Sequence, residues 1–251
     1  MIDPWLYPAL TVVAAVAGFV DAVAGGGGLI VIPALLFAGV PPLYALGTNK
    51  LQSVFGTAIA LRNYWRSGLI AWSGNRFTVF TVFAGAIVGA LLVQLIRSDV
   101  LNLVIPALLV TSALYVLLSP RMSDEDAHHR VTSRGYAPVG AAIGFYDGFF
   151  GPGAGTFYTT SLVALRGHGL TKATALAKLV NLTSALATLI LFAVGGHLLW
   201  SLGLCMAAGA IAGGWLGSHS ALKFGARLIR PLIVTTSLAL TAKLLWTYFT
   251  G

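Results

Sequence analysis

An aspartate, four consecutive glycines and an Asn-Lys pair interrupt an otherwise apolar stretch at residues 18–53, GFVDAVAGGGGLIVIPALLFAGVPPLYALGTNKLQS. Charge in such surroundings is costly, so any fold of this chain must give Asp21 and Lys50 partners. The constraint applies twice. In residues 144–181, GFYDGFFGPGAGTFYTTSLVALRGHGLTKATALAKLVN, a shift of 126 aligns Gly18, Phe19, Asp21, Gly25 and Gly27 with Gly144, Phe145, Asp147, Gly151 and Gly153. Two residues are then inserted, and a shift of 128 aligns Gly39, Ala45, Lys50 and Leu51 with Gly167, Ala173, Lys178 and Leu179. The same shift aligns Gly85 and Gly89 with Gly213 and Gly217. A period of about 125 residues is too long for a solenoid and suits the duplicated halves of transporter-type folds.

Composition agrees with a membrane setting. Apolar residues make up 57% of the 251 and charged residues 9%, where a soluble domain carries about 25%. Mean hydropathy is +0.88. The net charge of +8 raises the question of nucleic acid, but the 15 lysines and arginines lie in short clusters between apolar runs, as cytoplasmic loops do. The single cysteine, Cys205, excludes a disulfide within one chain and any Cys-based metal site, and it reads as a small buried core residue. The N-terminus lacks a basic leader, so the first apolar run reads as a retained span.

Apolar segments fall at 5–24, 28–39, 43–61, 77–96, 100–118, 136–150, 154–165, 173–194, 198–219 and 229–249. All read as helices, since lipid leaves only helices and closed barrels and no alternating barrel pattern is present. The fold expected is all-α and polytopic: about eight full transmembrane helices plus two short or broken ones, in two repeats. Repeat 1 spans 1–118, a polar linker 119–134, and repeat 2 135–251.

Basic residues then set the topology. If each short segment crosses, Arg62, Arg66, Arg76, Arg121, Arg130, Arg134, Arg166, Lys172, Lys223, Arg227 and Arg230 share one side, against Arg97 alone on the other. Lys243 reads as a snorkelling residue near a helix end. Five crossings per repeat is an odd number, so the second repeat enters from the opposite face. The expectation is an inverted repeat with both termini outside.

Asp21 and Asp147 are the two acids within spans, and each precedes a glycine break, GGGG at Gly25, Gly26, Gly27 and Gly28 or GPGAG at residues 151–155. A break of this kind frees N–H groups at the start of the next helix, which is an anion site at mid-membrane depth. Glycine runs by themselves also serve close packing, as Gly85 with Gly89 and Gly213 with Gly217 suggest. Lys50 and Lys178 supply the repeated cations, with Asn49, Gln52 and Ser53 beside one and Asn181 and Ser184 beside the other. Each lysine can face an anion or neutralise an aspartate. The histidines show no metal-ligand spacing and no catalytic triad stands out, so neither a metal nor a cofactor is called for.

GFVDAVAGGGGLIVIPALL with ALGTNKLQS, and GFYDGFFGPGAGTFY with KATALAKLVNLTS, resemble the sulfite exporter TauE/SafE (TSUP) family, in its YfcA-like branch. The resemblance implies a bacterial inner-membrane permease exporting small sulfur-containing anions such as sulfite or organosulfonates, and not an enzyme. Its substrate-binding positions carry over onto Gly25, Gly26, Gly27, Gly28, Asn49, Lys50, Gln52, Gly151, Gly153, Gly155, Lys178 and Asn181. Asp21 and Asp147 are left to proton coupling or charge pairing. The partners expected are a small anion and membrane lipid, with homo-oligomerisation open. Two other readings are an intramembrane aspartyl protease using Asp21 and Asp147 as a dyad and a passive anion channel. The first finds Tyr146-Asp147 but lacks the Gly-x-Gly-Asp element at Asp21, and duplicated lysines favour two ionised acids over a shared proton.

Overall fold

Glycine breaks, prolines and short polar turns divide the apolar sequence into helices. The computed structural model describes residues 3–72, 74–117, 125, 131–225 and 227–228, and every regular element in them is helical. The first repeat gives α1 (Leu6–Ala24), α2 (Gly28–Phe37), α3 (Pro42–Arg66), α4 (Arg76–Gln94) and α5 (Ser98–Leu117). The second gives α6 (Ala137–Phe149), α7 (Ala154–Arg166), α8 (Leu170–Val194) and α9 (Trp200–Phe224). The segment expected at 229–249, with Lys243, lies outside the described residues, as does most of the 119–134 linker.

Among the described residues, four helices, α1, α4, α8 and α9, are long and apolar enough to cross a membrane. α3 has 25 residues but carries Asn49, Lys50, Gln52 and Asn63 in its interior. Its polarity is accommodated by burial inside the protein rather than exposure to lipid. α6 has only 13 residues, about 20 Å of helix, shorter than the full span expected over 136–150 because the GPGAG break begins at once. The short segments expected at 28–39 and 154–165 are α2 and α7, of 10 and 13 residues.

α3 and α8 form the centre. Every residue from 45 to 52 and from 173 to 181 is buried, more than two helical turns enclosed on all sides. The two repeat-related helices run antiparallel: Gly47, near the start of α3, packs on Phe192 and the His197 carbonyl at the end of α8. Around them, the first helix of each copy lies along the fourth helix of the other, in the two most extensive contacts of the fold, α1 with α9 and α4 with α6.

Glycines make both seams. A Cβ on Gly213 or Gly217 would stand 1.9 or 2.5 Å from the carbonyl oxygens of Ala15 and Phe19, and one on Gly85 or Gly89 would stand 2.2 or 2.1 Å from those of Ala141 and Phe145. These partners are themselves repeat-related, so the duplication preserved a backbone-to-backbone fit, the arrangement that replaces hydrophobic burial as the packing force in lipid.

Cys205 departs from expectation: it is exposed on α9, next to Leu204 and on the helix that also exposes Ile211 and Leu216. In a membrane protein the outer surface is as apolar as the core, so an apolar neighbourhood in sequence does not distinguish the two.

Candidate anion site at two crossed helix breaks

Each break needs a backbone turn that ordinary residues resist. Gly25 and its counterpart Gly151 adopt φ of 82° and 98°, in the left-handed region open to glycine. The helices that follow start without a side-chain cap. Among the described residues, the N–H groups of Gly26, Gly27 and Gly28, and of Gly153, Gly155 and Thr156, donate to no other group of the chain. Free donors and the positive end of the helix dipole therefore coincide at α2 and at α7.

The two breaks touch. A Cβ on Gly25 would lie 2.3 Å from the carbonyl carbon of Gly155, and one on Gly28 would lie 3.2 Å from Cα of Pro152. Thr156 Oγ1 donates to the Ala24 carbonyl at 2.7 Å, tying the start of α7 to the end of α1. Asn49 and Asn181 border the starts of the two short helices, Asn49 Nδ2 against Gly28 and Asn181 Nδ2 against Gly155. Gln52 Nε2 donates to Asn49 Oδ1 at 3.0 Å.

The charges pair crosswise between repeats. Lys50 Nζ of α3 meets Asp147 Oδ1 of α6 at 2.5 Å, with 5% and 2% of the side chains exposed. Lys178 Nζ of α8 meets Asp21 Oδ2 of α1 at 2.8 Å, with 1% and 19% exposed. Lys178 also donates to the backbone oxygen of Asp21, placing an ammonium at the negative end of the α1 dipole. Ser184 completes Asp147 by a short bond to Oδ2, whereas Thr57 reaches Asp21 Oδ2 only at 3.4 Å. Each carboxylate is thus held by a lysine of the other copy. Neither hydrogen-bonds to the other among the described residues, so the shared proton of a protease dyad has no geometric basis here.

A cavity of about 20 Å³ opens beside Asp21, lined by Ala17, Gly18, Gly27, Gly28, Gln52, Ser53, Gly56, Thr57 and Ala210. That space holds roughly one water. The expected residues converge as follows: Asp21, Gly27, Gly28 and Gln52 line the cavity, and Lys178 binds Asp21. Lys50, Asp147 and Gly151 meet on the sealed side, where a Cβ on Gly151 would touch Lys50 Nζ at 2.7 Å. Among the described residues no group of three or more His, Cys, Asp or Glu could hold a metal ion.

Sequence reasoning missed a tether on the second break. Tyr146 OH donates to the Pro152 carbonyl at 2.6 Å and shares a 2.6 Å hydrogen bond with Ser112 of α5. Its repeat counterpart is Val20, so the one available signal was this mismatch beside a matched aspartate.

The profile of the family described as sulfite exporter TauE/SafE matches residues 10–244. The "Probable membrane transporter protein YfcA" of Escherichia coli K12 is 44% identical over 247 residues, covering 98% of this chain and 92% of the relative. The "Probable membrane transporter protein ORF9" of Sinorhizobium sp is 45% identical over 237 residues, covering 94% and 91%. A "Probable membrane transporter protein" of Haemophilus influenzae is 43% identical over 232 residues, covering 92% and 91%. No solved structure matches the chain. With its duplicated Asp-glycine-lysine pattern and a match over nearly its whole length, the chain belongs to the sulfite exporter TauE/SafE family.

Proposed function

We propose that this protein is a secondary transporter of small sulfur-containing anions such as sulfite or organosulfonates, exporting them across the bacterial inner membrane. Kinship supports the class: its relatives carry the names of probable membrane transporters. The observation that carries the reading is the meeting of two glycine breaks with free N–H groups at a crosswise pair of buried lysines. The oxyanion is received by the N–H groups of Gly26, Gly27, Gly28, Gly153 and Gly155 and by the amides of Asn49, Gln52 and Asn181. Lys50 and Lys178 are the counter-charge, and Gly25 and Gly151 make the turns that aim the donors.

The antiparallel course of α3 and α8 supports an inverted repeat, with both termini on the periplasmic side and the basic loop residues on the cytoplasmic side. Alternating access then comes from rocking one half against the other around the shared site. The cavity has room for roughly one water and not for sulfite, which supports reading the arrangement as closed around the site. Asp21 and Asp147 are the groups available for proton coupling.

The test is sulfite flux through the purified protein in liposomes. Flux should saturate with substrate and fall to the protein-free level in the Lys50→Ala/Lys178→Ala variant. Unchanged flux in that variant removes the lysines from the mechanism, and flux that never saturates makes the protein a passive channel.

A further inference from the structure

We propose that proton coupling is confined to one of the two aspartates: Asp21 is the protonatable switch, and Asp147 with Lys50 is a static strut. The proposal deepens the transporter reading, rests on it for the role of the lysine that the switch releases, and narrows the coupling acid to Asp21 and the substrate's counter-charge to Lys178.

Four observations separate the two acids. The Asp21 side chain is 19% exposed and borders the cavity, whereas Asp147 is 2% exposed. Asp147 holds a close hydroxyl, Ser184, on the oxygen that Lys50 leaves free, whereas Asp21 has only Thr57 at 3.4 Å. The repeat position of Ser184 is Gly56 in the first copy, where a Cβ would stand 2.9 Å from the Ala210 carbonyl oxygen, so the hydroxyl that Asp147 receives has no counterpart at Asp21. Finally, Tyr146 pins the break after Asp147 to α5 through the Pro152 carbonyl, whereas the hydroxyls near the first break hold Ala22 and Ala24 ahead of it and, among the described residues, no side chain bonds the four glycines themselves.

A proton entering the cavity adds to Asp21 Oδ2 and converts a carboxylate to a neutral acid. Lys178 keeps its charge and loses its counter-ion, so the pair changes from net zero to +1. The ammonium, still held by the Asp21 backbone carbonyl, then lacks a counter-ion, and the cavity acquires the positive charge required by an anion seated on the N–H groups of Gly27 and Gly28. Among the described residues, the charged and titratable groups facing Asp21 are Lys178 from α8 and Tyr64 from α3, whose hydroxyl donates to the Ala22 carbonyl at 3.0 Å. The other helices at this point contribute Gly27 of α2, Thr156 of α7 and Ala210 of α9.

Infrared difference spectroscopy of the full chain in lipid nanodiscs, taken between neutral and acid pH without any substrate, tests this. Asp21→Asn should remove one carboxyl's worth of the protonated-acid signal, out of the chain's seven Asp and Glu residues, and Asp147→Asn should leave the signal at the wild-type level. Should Asp147→Asn not fold, the Lys50→Met/Asp147→Asn variant, which removes the whole pair, takes its place. Loss of signal in the Asp147 variants but not in Asp21→Asn overturns the proposal, as does no loss in either. The readout contains no substrate, so absence of sulfite flux in liposomes would remove sulfite as the substrate while leaving this result standing.

Discussion

Asp21 with Lys178 and Asp147 with Lys50 occupy the same four repeat positions, yet one pair lies beside a cavity and the other is sealed. The aligned stretches carry the same charges, and single-residue differences between them change what surrounds each. Gly56 against Ser184 and Val20 against Tyr146 are two divergences with visible consequences, one leaving Asp21 without the hydroxyl that Asp147 has and the other adding a tether. A buried ion pair does little for net stability, because desolvation offsets attraction. Keeping two of them in lipid-like surroundings therefore points to function, and their unequal exposure to a division of labour.

Removing a partner should separate the halves most. Lys50→Ala strands Asp147 in a dry site and should cost about 3–5 kcal/mol of unfolding free energy, while Lys178→Ala should cost about half as much because water can reach Asp21. Denaturant unfolding in detergent measures both, and equal losses would break the comparison. The glycine seams should instead behave alike. Gly213→Ala and Gly89→Ala each push a methyl into a carbonyl oxygen and should each lose about 2–3 kcal/mol by the same measurement, and a large difference would show that the two seams are not equivalent.

Ser184→Ala should cost about 1–2 kcal/mol, since a hydrogen bond to a charged group is lost in a buried place. Tyr146→Phe should cost about 1 kcal/mol and speed amide hydrogen exchange at the GPGAG break relative to the GGGG break. Thr57→Val should change stability by at most about 0.5 kcal/mol, because a 3.4 Å contact at a wetted carboxylate is weak. A Thr57 effect as large as that of Ser184 would mean that Asp21 is as tightly held as Asp147.

Much of the fold was legible in the chain. The segment expected at 28–39 is α2 at Gly28–Phe37, and that at 154–165 is α7 at Ala154–Arg166, because Gly, Pro and the loss of apolar character mark their ends locally. The segment expected at 43–61 runs on to Arg66, since Arg62, Asn63 and Arg66 look like loop by hydropathy but continue the helix. Asp21, Asp147, Lys50 and Lys178 stood out because charge amid apolar sequence is rare. Ser184 was noted only as a polar neighbour of Lys178 and Tyr146 only for preceding Asp147, since serine and tyrosine are common in membrane helices and their bonds to Asp147 and Pro152 depend on the tertiary fold.

The sequence by itself determined that the chain is a set of apolar helices broken at glycines, with two alignable stretches that each place one acid and one lysine amid apolar residues. Hydropathy, glycine and period are properties of neighbouring residues, so they can be read in order along the chain. Which lysine meets which aspartate, across 97 and 157 residues, was decided only by the tertiary structure, as was which of the two pairs touches open space. Both depend on helices of one copy packing against helices of the other, and pairing energy at a site of low dielectric is set by distances that the order of residues does not contain.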